Sequence, residues 1–203
     1  MNIGIIGAGN IGATAAALFI KVGHKVTISN SRGPDTLREL VANLGPDAHA
    51  ASPEEAARSG DIVMEAIPFG RYASLPAADI AGKILISASN YYPQRDGQID
   101  LGGLTQSEFI AQHVPGARLV KAFNTIYWVE LRDQPDPTRP LEQRRVIFIA
   151  GDDAEAKDTV SDLITAIGFA PLDIGSLRES HRQEPGSPIY NRTLTIAEAR
   201  ALL

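Results

Sequence analysis

The chain has 203 residues, enough for one sizeable hydrophobic core and a small appended unit. Hydrophobic residues make up 44% and charged residues 21%, an ordinary globular balance; the net charge is −5 and the basic residues are scattered, which argues against nucleic acid as a partner. There is no cysteine, which excludes disulfides, thiolate metal sites and thiol redox chemistry. No run reaches the ~18 apolar residues of a membrane span. The N-terminus enters a strand pattern at once and leaves no room for a signal peptide, so a cytoplasmic protein with no membrane contact is expected.

Asn2–Ile6 is a short apolar run suited to a buried parallel strand. Gly7-Ala8-Gly9-Asn10-Ile11-Gly12 follows and fits G-x-G-x-x-G. Ala13–Val22 then supplies an Ala-rich helix stopped by Gly23, and Lys25–Ser29 is a second β-branched run. The glycines therefore stand between strand and helix in a βαβ unit, the context of a dinucleotide site. Gly7 allows the tight turn. Gly9 lets backbone approach a pyrophosphate, and Gly12 lets the helix close onto the strand. The helix N-terminus, at Asn10 and Ile11, offers free N–H groups and a partial positive charge to phosphates.

The tip of the second strand is Asn30-Ser31-Arg32, with no carboxylate before Asp35. A carboxylate there would bind a ribose 2′-OH and repel a 2′-phosphate; Arg32 pairs with that phosphate and Ser31 donates to it. A charge-assisted bond of about 1.5–3 kcal/mol corresponds to a preference for NADP over NAD of about ten- to a hundredfold. A solvated turn arginine is the alternative.

Gly33-Pro34 opens a helical pattern over Asp35–Leu44, ended by Gly45-Pro46, and His49–Ala51 reads as a short third strand. Ser52-Pro53-Glu54-Glu55 predicts a helix start, with a Ser cap, Pro at the first position and Glu closing a capping box. Asp61–Ile67 is a fourth strand, Arg71–Ala78 a short helix interrupted by Pro76, and Lys83–Ser87 a fifth strand. Thr105–Glu108 is a second capping box, opening a helix to about His113, and Arg118–Ala122 is a sixth strand. Asp133–Glu142 carries three prolines and reads as a surface loop. Arg144–Ala150 is a seventh strand, Asp152–Glu155 caps a helix to about Ile167, and Gly168–Ile174 holds an eighth strand. Gly175–Arg192 is either an ordered arm or hides a short helix, and Thr195–Leu203 is a final capped helix. This alternation predicts an α/β fold, a doubly wound parallel sheet of the Rossmann NAD(P)-binding kind over residues 1–132, with a small C-terminal α/β lobe, 144–203, packed on the same sheet.

In such sheets ligands bind beyond the carboxyl ends of the strands. The fourth strand ends in Ile67-Pro68-Phe69, the fifth in Asn90-Tyr91-Tyr92 and the sixth in Asn124-Thr125-Ile126, which predicts one crevice with an apolar floor and amide and hydroxyl walls. Phe69 reads equally as core, Tyr91 and Tyr92 as an amphipathic surface pair, and Asn124 and Thr125 as a helix cap. None of His24, His49, His113 and His181 falls at those strand ends or pairs at metal-ligand spacing, so no metal site is expected. Asp61 and Glu65 belong to a buried strand, and Lys121 is expected to point to the surface. No general acid or base stands out and no catalytic residue is assigned. Hydride transfer between two stacked ring cofactors fits that absence, because the cofactors carry the chemistry.

With these motifs the chain resembles the NADPH-dependent oxidoreductases of the coenzyme F420 (8-hydroxy-5-deazaflavin) type. The glycine motif and Ser31-Arg32 match that family's NADP site, and Ile67-Pro68 matches the segment against which its nicotinamide lies. Val120–Ile126 and Gly151-Asp152-Asp153 look like its signatures. Gly168–Leu177 is similar to the cytosolic NADPH domain of membrane metalloreductases, which pass the hydride to a flavin. The family has Trp where Phe69 stands, Lys where Thr36 stands and His where Asn124 stands. The resemblance implies an NADPH-dependent oxidoreductase exchanging a hydride with a small-molecule cofactor substrate, coenzyme F420 or a flavin. The nicotinamide is then expected near Ile67, Pro68 and Phe69, and the acceptor between Asn90, Tyr91, Asn124, Thr125 and Ile126. A homodimer through a crossing Gly175–Leu203 arm is expected. The alternatives are an imine reductase like pyrroline-5-carboxylate reductases, whose large helical dimerisation domain this chain has too few residues to supply, and a non-catalytic NADP sensor or partner subunit.

Overall fold

Short apolar runs, each closed by a glycine, a proline or a capping residue, set the strand lengths. The computed structural model describes every residue from Met1 to Leu203. Strands β1 (Asn2–Ile6), β2 (Lys25–Ser29), β3 (Ala48–Ala51), β4 (Ile62–Glu65), β5 (Ile84–Ser87), β6 (Arg118–Lys121), β7 (Val146–Gly151) and β8 (Ala170–Asp173) form one sheet in the order β3-β2-β1-β4-β5-β6-β7-β8. Helices α1 (Asn10–Lys21), α2 (Arg38–Leu44), α3 (Pro53–Ser59), α4 (Ala77–Ile80), α5 (Pro93–Asp96), α6 (Gln106–His113), α7 (Trp128–Asp133), α8 (Ala154–Ala166) and α9 (Ile196–Arg200) connect them. The order reverses between β1 and β4, so the glycine turn after β1 opens at a switch point.

Side chains alternate across the sheet. Ile3, Ile5, Met64 and Ile86 join Phe19, Phe123 and Val160 in the core on one face, while Ile6, Val63 and Leu85 join Phe69 and Ile110 on the other. Capping boxes close the starts of α3 (Ser52 with Glu55), α6 (Thr105 with Glu108) and α9 (Thr195 with Glu198), as the sequence spacing predicts.

Four features depart from the sequence reading. Strand β7 runs antiparallel to β6, pairing Val120 with Gly151 and Lys121 with Ala150, so the sheet is not wholly parallel. The link from β6 holds only the six-residue α7 before Pro135, Pro137 and Pro140 interrupt it, and no helix carries the chain back to the far end of the sheet. Strand β8 pairs in parallel with β7 after the crossover helix α8. The helix expected over Arg71–Ala78 is split into a 3-10 turn, Phe69–Ser74, and α4, because Pro76 keeps Leu75 extended. Helices α5 and α7 have a few residues each and no periodic pattern to betray them. The Gly175–Arg192 segment is both an ordered arm and a concealed turn: Arg178–Gln183 is 3-10, and the arm lies along its own chain, with Thr105 Oγ1 donating to the Leu177 carbonyl (3.0 Å) and Glu184 accepting from the Gln106 N–H (2.9 Å).

The turn between β1 and α1 is set by backbone contact. Gly7 has φ +113°, and a Cβ on Gly12 would lie 1.9 Å from the Gly7 carbonyl oxygen. A Cβ on Gly9, which has an ordinary φ of −77°, would meet nothing within 4 Å. Gly12→Ala is therefore expected to cost about 1–3 kcal/mol by overpacking, a fall in Tm of about 2–4 °C per kcal/mol. Gly9→Ala should leave Tm close to that of the unaltered chain. Thermal unfolding followed by circular dichroism compares the two.

Candidate functional site

The site starts at the N-terminus of α1. Gly9 caps it in extended conformation without a side-chain bond, and the N–H groups of Asn10, Ile11 and Gly12 find no acceptor in the chain. The open direction at Gly9, the free N–H groups and the helix dipole make an anion cradle. At the tip of β2, Asn30 Oδ1 accepts from the Arg32 N–H (2.9 Å) and its Nδ2 donates to Thr36 Oγ1 (2.9 Å), so Asn30 and Thr36 hold the turn. Ser31 and Arg32 are exposed, and the Arg32 guanidinium has no hydrogen-bond or ion-pair partner. Asp35, the first carboxylate after it, is held by Arg38 at 2.6 Å.

From this cradle a cleft of about 560 Å³ runs across the carboxyl ends of the strands. Of the residues singled out in the sequence, Gly9, Asn10, Ile11, Ile67, Pro68, Asn90, Asn124 and Ile126 line it. Gly7 and Gly12 shape the turn beneath, and Asn30, Ser31 and Arg32 lie beyond its end. Three residues expected at the acceptor or nicotinamide are turned away. Phe69 is 1% exposed and packs into the second core against Tyr91, with ring centroids 5.2 Å apart, and Phe109 (5.8 Å). The Tyr91 hydroxyl donates to the Gly97 carbonyl and accepts from the Ile99 N–H, both at 2.9 Å, which ties down the following loop. Thr125 is buried, its carbonyl accepting from the Asn191 N–H. Alternation explains the pair of tyrosines: with Tyr91 facing the core, Tyr92 faces the cleft.

Other lining groups had no local signal. Tyr127 and Trp128 form an aromatic rim at the start of α7, with Tyr127 54% exposed. Tyr190 and Asn191 arrive from the C-terminal arm. Phe123 takes φ +63°, uncommon for a bulky residue, as the chain turns out of β6 into the cleft wall. Asn90 and Asn124 lock this wall: Asn124 Nδ2 donates to Asn90 Oδ1 (3.0 Å) and to the Gln183 carbonyl (2.7 Å), and Asn90 Nδ2 donates to the Asn124 carbonyl (2.8 Å) and Tyr190 Oη (3.3 Å).

Beneath the floor lie two buried ionisable groups, Glu65 and Lys121, that share Ser89 rather than a direct bond. Sheet register puts Glu65, Ser87 and Lys121 side by side on β4, β5 and β6, so Lys121 is interior and not surface-directed. Glu65 Oε1 accepts from the hydroxyls of Ser87 (2.5 Å) and Ser89 (2.8 Å), and Lys121 Nζ donates to the Ser89 carbonyl. Asp61, by contrast, is exposed ahead of β4 and accepts from the Asn2 N–H at 2.8 Å. Burial pushes the Glu65 carboxyl up, against the Ser87 bond and the Lys121 charge. Burial lowers Lys121 to about 8, against the Glu65 charge. No histidine lines the cleft, and no group of three His, Asp or Glu side chains is arranged to hold a metal ion.

Comparison with known proteins matches residues 2–91 to the family described as NADP oxidoreductase, coenzyme F420-dependent. A hypothetical protein from Sinorhizobium meliloti is 34% identical, with a TM-score of 0.84 over 96% of this chain and 95% of that one. A putative F420-dependent NADP reductase from Arthrobacter sp. FB24 shares the fold at 24% identity and a TM-score of 0.73, over 96% of this chain and 99% of that one. Metalloreductase STEAP3 of Rattus norvegicus is 33% identical over 90% of this chain, which spans only 36% of that relative's length. No helix of the structure is long and apolar enough to cross a membrane.

The buried pair makes stability depend on pH. Lys121 holds its proton to about 8 in the folded chain against 10.5 as its ordinary value, so between these limits the unfolded chain binds more protons and stability rises with pH. Glu65 titrates above its ordinary value, so its share of stability falls as pH rises from 4.5. Lys121 meets the Ser89 carbonyl and not Glu65 itself, so Lys121→Met is expected to leave Glu65 on its two hydroxyls and to remove the lysine's share of the pH dependence. Chemical unfolding of the unaltered chain and of Lys121→Met between pH 7 and 10.5 measures this; the rise above pH 8 should vanish in the variant.

Proposed function

We propose, on the match of residues 2–91 to the NADP oxidoreductase, coenzyme F420-dependent, family, that the chain transfers a hydride between NADPH and a second ring cofactor, deazaflavin coenzyme F420 or a flavin, in the cytoplasm. The observation that carries this reading is the single cleft joining an anion cradle at α1 to an aromatic rim at Tyr127 and Trp128. The residues present fit NADP. The Gly9 direction is free of side chains, the α1 N–H groups are free for a diphosphate, and Arg32 is unpaired for a 2′-phosphate.

Bound there, NADPH supplies the hydride and the acceptor takes it; the chain supplies alignment and dryness. Ile67 and Pro68 give a flat apolar floor with no group to react. Asn90 and Asn124, locked to each other, make a rigid wall beside the floor. A cleft of about 560 Å³ falls within the roughly 300–1,000 Å³ of small-molecule sites.

Mixing NADPH with coenzyme F420, FMN or FAD and following loss of the nicotinamide absorbance tests the acceptor. Turnover with at least one is expected, and none with any would overturn the reading. For the cofactor, Arg32→Ala is expected to weaken NADPH binding by about ten- to a hundredfold and to leave NADH binding unchanged. Titration calorimetry with both nucleotides measures the pair.

A further inference from the structure

The arm brings Tyr190 onto the cleft wall opposite Tyr92, and the two hydroxyls are hydrogen-bonded to each other. The Gln183 carbonyl is an acceptor only, so the Asn124 atom 2.7 Å from it is the amide nitrogen. That nitrogen also faces Asn90, so the Asn90 atom it meets is the oxygen. Asn90 therefore turns its nitrogen to the Asn124 carbonyl and to Tyr190 Oη, and Tyr190 accepts. Besides Asn90, the Tyr190 hydroxyl meets Tyr92 Oη and the Asn191 side chain. With Tyr190 donating to Tyr92, the Tyr92 proton has no other acceptor in the chain and faces the cleft.

We propose that Tyr92 is the proton donor to the acceptor ring, with Tyr190 behind it as a relay. This rests on the hydride-transfer reading. Reducing a flavin or deazaflavin adds a hydride at one ring atom and leaves negative charge on a conjugated ring heteroatom, which then takes a proton. As the acceptor gains the electron pair and hydrogen from NADPH, the Tyr92 Oη–H bond breaks and a heteroatom–H bond forms. The Tyr190 proton crosses to Tyr92, and water reprotonates Tyr190. One proton leaves solvent for each NADPH oxidised, and charge balances.

Two surroundings agree with these roles. Burial first, and then the bond to Tyr92, hold the Tyr190 hydroxyl well above the usual phenol range, so it stays protonated as a donor. The Arg95 guanidinium lies over the Tyr92 ring, 5.0 Å from its centroid, and holds the ring in place on the cleft wall. Arg95 is itself held by the Asn90 carbonyl (2.7 Å) and the Asp96 carboxylate (2.8 Å).

The test compares the unaltered protein with Tyr92→Phe and Tyr190→Phe, using F420 and FMN as acceptors. The NADPH Kd and Tm should be unchanged in both variants. The affinity of Tyr92→Phe for the oxidised acceptor in the presence of NADP⁺, read by fluorescence quenching, should fall about fivefold for the lost hydrogen bond. Its single-turnover hydride transfer should slow by about a hundredfold and lose the solvent deuterium isotope effect of the unaltered protein. Tyr190→Phe should keep the acceptor affinity and slow turnover less. If the unaltered protein turns over and Tyr92→Phe keeps its rate, isotope effect and acceptor affinity, the proton-donor role is wrong and the hydride reading stands. If the unaltered protein turns over neither acceptor, the hydride reading fails and the proton-donor role falls with it.

Discussion

The contact between a carbonyl and the Cα hydrogens of a glycine sets the whole nucleotide end of this molecule. With a side chain at Gly12, helix α1 would have to lift away from the Gly7 carbonyl. The free N–H groups at its start would then move off the switch point between β1 and β4, and the cleft would lose its anion cradle. That cradle, the β2 tip and the floor at Ile67 and Pro68 all hang from strands buried on both faces, so their relative positions are fixed by the stiffest part of the fold.

The other end of the cleft is built differently. Its wall is a network of amides and hydroxyls drawn from the ends of β5 and β6 and from the arm, in which each donor direction follows from its neighbour. Beneath it Glu65 and Lys121 form a second polar layer, joined to the wall through Ser89, which lines the cleft and accepts from Lys121. Each of the two groups bonds Ser89 and not the other, and so holds the backbone at the cleft floor.

Local signals were legible and distant ones were not. The glycine turn, the unpaired Arg32, the three capping boxes and the strand ends all depend on residues within a few positions of each other, and the sequence marks them. The antiparallel β7 was hidden because a strand pattern carries no direction. Lys121 was misplaced because its burial follows from its row-mates Ser87 and Glu65 on other strands, not from its own neighbours. Tyr91 and Tyr92 differ in facing only once the fold chooses a side, and Tyr190, 98 positions after Tyr92, meets it only through the path of the arm. Phe69, read as a contact for the nicotinamide, is claimed instead by the aromatic core at Tyr91 and Phe109.

The arm is pinned near its start by Thr105 on the Leu177 carbonyl, at its middle by Glu184 on the start of α6 and near its end by the Asn191 N–H on the Thr125 carbonyl, and it forms no strand of the sheet. The cleft is thus walled from separate stretches of chain: the glycine turn from the first twelve residues, the far wall from the ends of β5 and β6, and one face, at Tyr190 and Asn191, from the arm alone. A change in the arm's length or sequence reshapes that one face and leaves the glycine turn untouched.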